Sequence, residues 1–368
     1  MFCGGEEKLP DGPLERHYGR PVDAGPVEEG LRRLAGAAAA VVDLADEPVV
    51  PASRKLRLAA LALELGLDWE SPGARLRPQP LQRLPFEGPK LAVIGTGKRT
   101  GKTAVAQHWA RLLRDRGSDP VIVCMGRGGP SEPQIAEPGL GLDDLARLAE
   151  SGEHAASDYL EGAVLAGVRT VGCKRVGGGL AGEPADSNLH EGAMLAVSLQ
   201  PDVLLFEGSG ACIPQVDVDR TVCVAGAGPG EPFDDLRLAR ADLVLMASGA
   251  AREAPAGHPS IRFELRPEAV GEVPRDARVA CFTTGGPPPA DVQAVVASRA
   301  LARRAELQAD LDRAAFERCD VYMTELKAAA IDTVAARARR EGAGVLLLRN
   351  CPIGLDGDLD AELVKLAS

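Results

Sequence analysis

The sequence predicts an α/β fold with a mostly parallel, doubly wound sheet, preceded by a small α/β N-terminal segment. Two observations support this prediction. From Lys90 onward, short apolar runs alternate with helical stretches, as in strands joined by crossover helices. Hydrophobic residues make up 45% of the 368-residue chain and aromatic residues only 3%, which suits closely packed β/α layers. After the strand that starts at Lys90, strands are predicted at residues 121–125, 203–206, 222–225, 243–246, 279–282, 321–324 and 345–348.

Residues 1–71 are predicted to form the small α/β segment. It contains a strand-like run at residues 38–44 and a helical pattern at residues 54–67. Residues 72–89 begin with several prolines and lack periodicity, so we expect a linker there. A segment of this size buries only a marginal core. We therefore expect it to pack on the larger domain, residues 90–368, or on a second subunit, and we expect a homodimer.

Charge and composition exclude several classes of protein. The net charge is -11 and no basic block is long enough to follow a phosphate backbone, which argues against a nucleic-acid partner. No apolar run reaches the roughly 18 residues that cross a bilayer. The N-terminus lacks the build of a signal peptide, so we expect a cytoplasmic protein without a membrane partner. The eight cysteines include no Cys-x-x-Cys pair, and we expect reduced core thiols rather than a metal site or disulfides.

The most informative motif lies where the first strand of the larger domain meets a helix. Residues 90–103 are a buried strand and a glycine-rich turn that ends in Gly-Lys-Thr. The helix after the turn offers unpaired N–H groups to an anion, Lys102 would reach the β- and γ-phosphates, and the Thr103 hydroxyl would hold Mg²⁺. The usual spacing has glycine where this chain has Thr96, and the alternative is a chance basic turn. The predicted phosphate loop comprises Gly95, Thr96, Gly97, Gly101, Lys102, Thr103 and Ala104, with Lys98 and Arg99 as additional catalytic cations.

Carboxylates beside a later strand are candidates for a metal site. Glu207 directly follows the buried run at residues 203–206. Because the carboxyl ends of parallel strands share one edge, Glu207 should lie near Lys102 and could bind Mg²⁺. The alternative is a strand-end acid that faces solvent. Asp217 and Asp219 precede the next strand, and either could be a second metal-side acid or a turn residue.

A pair of cations followed by glycines is predicted to bind the substrate. Two adjacent cations and the N–H groups of a glycine run suit a phosphorylated substrate. The alternative is a surface loop with a solvated Lys-Arg pair. The residues of this predicted loop are Lys174, Arg175, Gly177, Gly178, Gly179, Ser187 and Asn188.

Four further residues have weaker assignments. His154 and Asp158 share one face if their segment is helical, and could orient a phosphate or transfer a proton. Helix capping or core packing is the alternative for both. Lys327 stands where a strand leads into a helix, a position that suits a nucleotide anion, and Asn350 could contact a base edge.

Six segments between residues 90 and 350 form a set that is more specific than any one of them. They are Gly95-Thr-Gly-Lys-Arg-Thr-Gly-Lys-Thr, Gly128-Gly-Pro-Ser-Glu-Pro, His154-Ala-Ala-Ser-Asp-Tyr, Arg175-Val-Gly-Gly-Gly-Leu-Ala-Gly, Glu207-Gly-Ser-Gly-Ala and Thr324-Glu-Leu-Lys-Ala-Ala-Ala-Ile-Asp. Together they resemble the cyclic 2,3-diphosphoglycerate synthetase family, with weaker matches at residues 4–9 and 41–48. Members of that family begin with a further strand and helix, so the resemblance implies a truncated N-terminal domain. The loop also resembles that of dethiobiotin synthetase, which implies a shared nucleotide-binding P-loop fold.

The resemblance implies an ATP-dependent ligase that closes 2,3-bisphosphoglycerate into a cyclic anhydride and releases ADP and phosphate. The cations Lys98, Arg99, Lys102, Lys174 and Arg175 would neutralise the crowded charge, and Mg²⁺ would sit on Thr103 and Glu207, with Asp217 as a further candidate ligand.

Two other interpretations stay open: another ATP-dependent ligase or kinase of this fold, and a nucleotide switch or metallochaperone without small-molecule chemistry. The chain has no Asn-Lys-x-Asp guanine motif and no Cys/His cluster, which argues against the switch. The loop after Lys174 and Arg175 suits a phosphorylated rather than an apolar substrate, which argues against the other ligase.

Overall fold

The computed structural model describes residues 13–23, 25–47, 49–228 and 230–368. In the N-terminal part the helices are α1 (Leu14–Tyr18), α2 (Val27–Leu34) and α3 (Ala52–Glu64), with a 3₁₀ turn (Ala35–Ala37), and the strands are β1 (Ala40–Val42), β2 (Asp68–Ser71) and β3 (Ala74–Leu76). The later strands are β4 (Lys90–Gly95), β5 (Pro120–Gly126), β6 (Gln134–Ala136), β7 (Thr170–Val176), β8 (Asp186–Ser187), β9 (Val203–Glu207), β10 (Arg220–Ala225), β11 (Leu243–Ala247), β12 (Ser260–Val270), β13 (Val279–Phe282), β14 (Ala294–Ser298), β15 (Val321–Glu325) and β16 (Gly344–Gly354). The later helices are α4 (Lys102–Asp115), α5 (Leu142–Glu150), α6 (Asp158–Ala166), α7 (Leu189–Ser198), α8 (Asp234–Ala239), α9 (Arg304–Phe316), α10 (Ala336–Glu341) and α11 (Leu359–Leu366), with a π-helical turn (Ala330–Ala335) before α10.

The N-terminal segment packs on the larger domain, one of the two arrangements expected. Leucines and alanines of α3 form an apolar cluster with Trp69 of β2 and with Phe233 and Leu236 beside and within α8. The start of the predicted linker is a hairpin instead, because β2 and β3 pair antiparallel across Pro72 and Gly73. Gly73 has φ +80°, which only the missing side chain makes easy, so Pro-Gly is a turn signal here. The weak family matches at residues 4–9 lie outside the described residues.

The large sheet has the strand order β14-β13-β15-β16-β12-β11-β10-β4-β9-β5-β7-β6, with β8 added on β7. All eight strands predicted from Lys90 onward are present. Strands β4, β5, β9 and β10 are buried almost throughout, because helices cover both faces of a parallel sheet. The mostly parallel, doubly wound prediction is therefore confirmed.

The short strands β6 and β8 pair antiparallel with β7, and the sheet also reverses direction between β12 and β16, which the sequence did not predict. Strands β12 and β16 pair antiparallel and separate a central block (β7, β5, β9, β4, β10, β11, β12) from a C-terminal block (β13 to β16), each parallel within itself. β11 ends opposite Phe263, whereas β15 ends at the level of Ala269 of β12. Six residues of β12 thus separate the two sets of carboxyl ends, about 20 Å at the usual rise of a strand.

Because the blocks run in opposite directions, their carboxyl ends face each other across this gap. We call them the central rim and the C-terminal rim. Ligands of parallel sheets bind at the carboxyl ends of strands, so the gap is where a site is expected.

Two further observations concern the described part of the chain. None of its helices combines the length and apolar character needed to cross a membrane. Its seven cysteines are free and buried, which fits the prediction of core thiols. Cys3 lies outside the described residues.

Candidate active site

A cleft of about 810 Å³ lies between the two rims. Many of the predicted site residues line it: Lys98, Arg99, Gly101, Lys102, Thr103, Ala104, His154, Asp158, Arg175, Glu207, Lys327 and Asn350. The central rim therefore contributes the phosphate loop and the ends of β5, β7 and β9, and the C-terminal rim faces them.

The phosphate loop connects β4 to α4 in a tight turn. A Cβ atom on Gly95 would come within 2.7 Å of the Thr100 hydroxyl oxygen, and Gly101 has φ +105°, so both positions require glycine. Thr96, the departure from the usual spacing, accepts a hydrogen bond from the Gly226 amide at 3.1 Å and so ties the loop to the end of β10. Arg99 has φ +63° although it carries a side chain, a strained conformation that occurs preferentially at functional loops.

Lys102 begins α4 and is buried in the loop, with 6% of its surface exposed. Its ammonium donates a hydrogen bond to the Gly97 carbonyl at 2.6 Å. Burial lowers the pKa of Lys102, and the nearby Glu207 carboxylate partly offsets this effect. A buried ammonium at the start of a helix, beside unpaired N–H groups, is a favourable position for phosphate oxygens.

Thr103 and Glu207 lie side by side at the mouth of the loop. The Thr103 hydroxyl donates a hydrogen bond to Glu207 Oε1, and the Cys124 thiol donates to Oε2 at 3.7 Å. Burial, with a contribution from Asp158, raises the pKa of Glu207 to about 8. A hydroxyl and a carboxylate are the hard oxygen ligands that Mg²⁺ prefers, and a divalent cation would offset the cost of ionising this buried acid. The donor set therefore fits a magnesium ion.

Asp217 and Asp219 are at the wrong edge of the sheet to join this pair. Both precede β10, whereas Glu207 ends β9, and these parallel strands share a neighbour in β4. Asp219 accepts a hydrogen bond from the Lys90 amide at 2.8 Å, at the amino end of β4. Asp217 lies 3.8 Å from Arg83. The structure thus corrects the assignment of Asp217 as a metal ligand, because both acids lie at the opposite edge of the sheet from Glu207.

Lys174 and Arg175 are separated by the geometry of β7. Successive side chains of a strand point to opposite faces, and only Arg175 reaches the cleft. The residue is 4% exposed, and its guanidinium donates to the carbonyls of Gly177 and of Ser209, the latter at 3.1 Å. Its Nε finds no hydrogen-bond partner among the described residues. Lys174 is exposed outside the cleft, which corrects its assignment as a catalytic cation.

The remainder of the predicted substrate loop divides in the same way. Gly177, Gly178 and Gly179 line a second cavity of about 460 Å³, which shares Arg127 and Arg175 with the cleft. Ser187 and Asn188 instead secure the backbone of β7. Ser187 donates to the Lys174 carbonyl at 3.0 Å, and the Asn188 amide oxygen accepts from the Lys174 amide at 2.6 Å. Their assignment to the substrate is therefore corrected to a structural one.

His154 and Asp158 line the cleft but do not share a helix face. His154 lies in a turn, and α6 begins only at Asp158. The condition for their i, i+4 relation is therefore not met, although both remain at the cleft wall.

The C-terminal rim is organised by a buried acid, Glu325, at the end of β15. It accepts hydrogen bonds from the Thr284 amide at 2.8 Å, the Thr284 hydroxyl at 2.7 Å and the Asn350 side-chain amide at 3.1 Å. One carboxylate thus joins the carboxyl ends of β13 and β15 to Asn350 within β16. Lys327, two residues later, forms an ion pair of 3.6 Å with Glu161 of α6.

Four residues of the site were missed from the sequence. Arg127 and Thr284 are each the second residue after a predicted strand, and Glu325 stands in a segment already singled out, so position after a strand was the available signal. Glu161 is an acid within a helix and had no local signal.

Comparison with known proteins gives one family over most of the chain. Family models of cyclic 2,3-diphosphoglycerate synthetase match in three parts: the N-terminal domain over residues 1–77, the P-loop domain over residues 90–256 and the C-terminal domain over residues 289–351. The last two fall on the central and C-terminal blocks, so the region 90–368, predicted as one domain, spans two of the models.

Individual relatives give the same result. Cyclic 2,3-diphosphoglycerate synthetase of Rubrobacter xylanophilus is 42% identical over 97% of this chain and 88% of its own. The enzyme of that name from Thermococcus onnurineus is 36% identical over 100% of this chain and 91% of its own. A crystal structure of "apo" form LpxK from Aquifex aeolicus in complex with ATP has a TM-score of 0.45 and 16% identity, over 78% of this chain and 90% of that one. By its three domain matches and its relatives, this chain belongs to the cyclic 2,3-diphosphoglycerate synthetase family.

Proposed function

We propose that the protein is an ATP-dependent ligase that closes 2,3-bisphosphoglycerate into cyclic 2,3-diphosphoglycerate, with release of ADP and phosphate. One observation carries the proposal. A single cleft joins a phosphate loop, with its Thr103–Glu207 pair, to a buried guanidinium of Arg175 that keeps one nitrogen without a hydrogen-bond partner in the described chain. Such a cleft suits a nucleotide and a second phosphorylated compound together.

The phosphate loop, residues 95–104, is the proposed triphosphate site, with Lys98 and Arg99 at its exposed mouth. Thr103 and Glu207 would hold Mg²⁺. When bound, the ion neutralises phosphate oxygens and orients the γ-phosphoryl group for transfer. From the opposite rim, Lys327 would face the terminal phosphate of the nucleotide and Asn350 would contact its base or ribose. The Asn350 amide nitrogen is already engaged by Glu325, so its carbonyl oxygen is the atom that would accept from a base or ribose.

The proposed acid site lies beside Arg175 and Arg127, next to the glycines at 177–179. His154 and Asp158 form the adjacent wall. In a protein of net charge -11, arginines concentrated at one place are needed to hold an acid that carries two phosphates. Guanidinium groups can bind phosphate oxygens in pairs, which fixes the orientation as well as the charge.

The reaction needs two displacements at phosphorus. In the first, an oxygen of one substrate phosphate attacks the γ-phosphorus of ATP, the bond to the β-phosphate oxygen breaks, and ADP leaves. In the second, an oxygen of the neighbouring phosphate attacks the inner phosphorus of the new anhydride, and inorganic phosphate leaves with the bonding electrons. The attacking oxygens are already anionic, so the chain contributes charge and position rather than a base.

Phosphorus NMR of the protein with MgATP and 2,3-bisphosphoglycerate tests the proposal. We expect both monophosphate resonances of the acid to be replaced by anhydride resonances, with ADP and phosphate formed in equal amounts. Lys102→Ala should abolish this conversion and remain folded, because its buried ammonium binds phosphate and is not required for packing. ATP consumption that leaves the acid unchanged would refute the proposed reaction, and full activity of the folded variant would refute the loop assignment.

A further inference from the structure

Lys327 is the cation of the C-terminal rim that faces the phosphate loop. It is the second residue after β15 and lines the cleft, with 34% of its side chain exposed. The pKa of Lys327 is raised, chiefly by Glu161, with smaller contributions from Glu325, Asp158 and Glu207. Lys327 is therefore protonated at neutral pH, and it lies within electrostatic reach of the Glu207 carboxylate on the other rim.

The partner of Lys327 belongs to the opposite block. Glu161 is in α6 and its side chain is 7% exposed, and its Oε1 lies 3.6 Å from the Lys327 ammonium. Glu161 Oε2 has no hydrogen-bond partner within the described ranges. A buried acid with a single cationic partner is costly unless that partner is retained, so the pair fixes where Lys327 stands between the rims.

The backbone conformation after Lys327 is a second, independent indication of a functional turn. Ala328 has φ +48°, a left-handed conformation that is strained for a residue with a β-carbon. The π-helical turn Ala330–Ala335 follows, and such turns also concentrate at functional positions. Leu326 and Ala330 are fully buried on either side, so the core holds the strained turn in place.

We propose that Lys327 contacts the phosphoryl group that passes from the nucleotide to the acid, and that Glu161 is the positioning residue that holds Lys327 over it. This inference rests on the proposed function. As the bond between the β-phosphate oxygen and the γ-phosphorus breaks and the bond to the acceptor oxygen forms, negative charge spreads over the transferred oxygens. A protonated amine fixed beside them stabilises that charge and keeps its proton throughout.

The test is a double-mutant cycle of Lys327→Met and Glu161→Gln, with ADP release, KM and nucleotide Kd as readouts. Lys327→Met should lower kcat by about 100-fold, the scale for loss of one electrostatic stabiliser, and change the Kd for ATP less than about threefold. Glu161→Gln should lower kcat by about tenfold, because the ammonium remains but is no longer held. The double variant should be no slower than Lys327→Met alone, since Glu161 acts only through Lys327.

Glu150→Gln, an exposed acid at the end of α5, is the matched control and should match the wild type. Additive losses in the double variant would show that Glu161 has only a structural role, and a normal kcat for Lys327→Met would overturn the inference. Should Glu161→Gln fail to fold, Lys327→Met alone decides whether Lys327 acts on the transfer. ADP release is measured whichever product forms, so failure of the inference is distinct from the absence of cyclic product in wild-type NMR spectra.

Discussion

Replacing Arg175 by alanine should weaken binding of the phosphorylated acid and leave nucleotide binding nearly intact. The guanidinium lies at the cleft wall with Nε unpartnered among described atoms, while its other two nitrogens donate hydrogen bonds to backbone carbonyls. Its neighbour Lys174 offers a matched control, because it has the same sign of charge on the same strand but lies outside the cleft. The two variants differ chiefly in which face of β7 loses its cation.

The expected change in KM for the acid follows from the type of contact that Arg175 would make with it. A hydrogen bond to a charged group contributes about 1.5–3 kcal/mol, and 1.4 kcal/mol corresponds to tenfold in affinity. Arg175→Ala should therefore raise KM for the acid about 10- to 150-fold. Lys174→Ala should change it less than about twofold, because an exposed charge that contacts no ligand is screened by salt. Arg175→Lys keeps the charge but not the forked geometry and should lie between them.

Steady-state ADP release at varied acid concentration gives KM, and calorimetric titration with a non-hydrolysable ATP analogue gives nucleotide Kd. Thermal unfolding shows whether loss of the carbonyl contacts at Gly177 and Ser209 has loosened the fold. Equal effects of Lys174→Ala and Arg175→Ala would refute the assignment by strand face. A loss of nucleotide affinity with unchanged KM for the acid would place Arg175 on the nucleotide side.

Two further predictions concern buried acids. Glu207→Gln should still bind ATP but lower kcat by about 100-fold, because one ligand charge for Mg²⁺ is lost; unchanged turnover across a magnesium titration would show that Glu207 only ends its strand. Burial, partly offset by Lys327, raises the pKa of Glu161 to about 7 from its ordinary value of 4.5, so between these values the native protein holds a proton that the unfolded chain has released. Stability of the unliganded protein should therefore fall as pH rises through that window, and Glu161→Gln should remove this part of the fall. Thermal unfolding of both proteins at about pH 5 and about pH 8 measures it, and a pH-independent difference between their midpoints would contradict the prediction.

The parts of the fold that could be predicted from the sequence are those that depend on patterns of neighbouring residues. The strand from Lys90, the glycine turn and α4 follow one another along the chain. The hydrophobic pattern, the turn residues and the start of the helix therefore support a single prediction. Strand β12 could not be identified in that way. It contains Pro267 and several charged residues, which normally argue against a sheet interior. It exists because it pairs with β16, a contact between distant parts of the chain.

The wrong predictions about site residues also arose because the positions of those residues depend on the tertiary fold. Lys174 and Arg175 could have been assigned to opposite faces if β7 had been recognised as a strand, but its cations and the following glycines resemble a loop. Asp217 precedes its strand whereas Glu207 ends one, and in parallel strands these two positions lie at opposite edges of the sheet. The sequence around Glu161 gives no sign of a functional role, because that role depends on contact with Lys327, which the fold brings in from the other block.

Three buried carboxylates in or beside the cleft each hold a neighbouring side chain in place, which indicates that they position other groups rather than transfer protons. Glu325 accepts three hydrogen bonds, two from Thr284 after β13 and one from Asn350 within β16. Glu207 accepts one from Thr103, and Glu161 pairs with Lys327. None of these contacts requires a proton to move during the reaction. Attack by a phosphate oxygen needs no base at neutral pH, whereas the charge gathered by two phosphorylated compounds must be neutralised from more than one side. Opposed rims suit that requirement, because Lys102 on the central rim and Lys327 on the C-terminal rim line the same cleft.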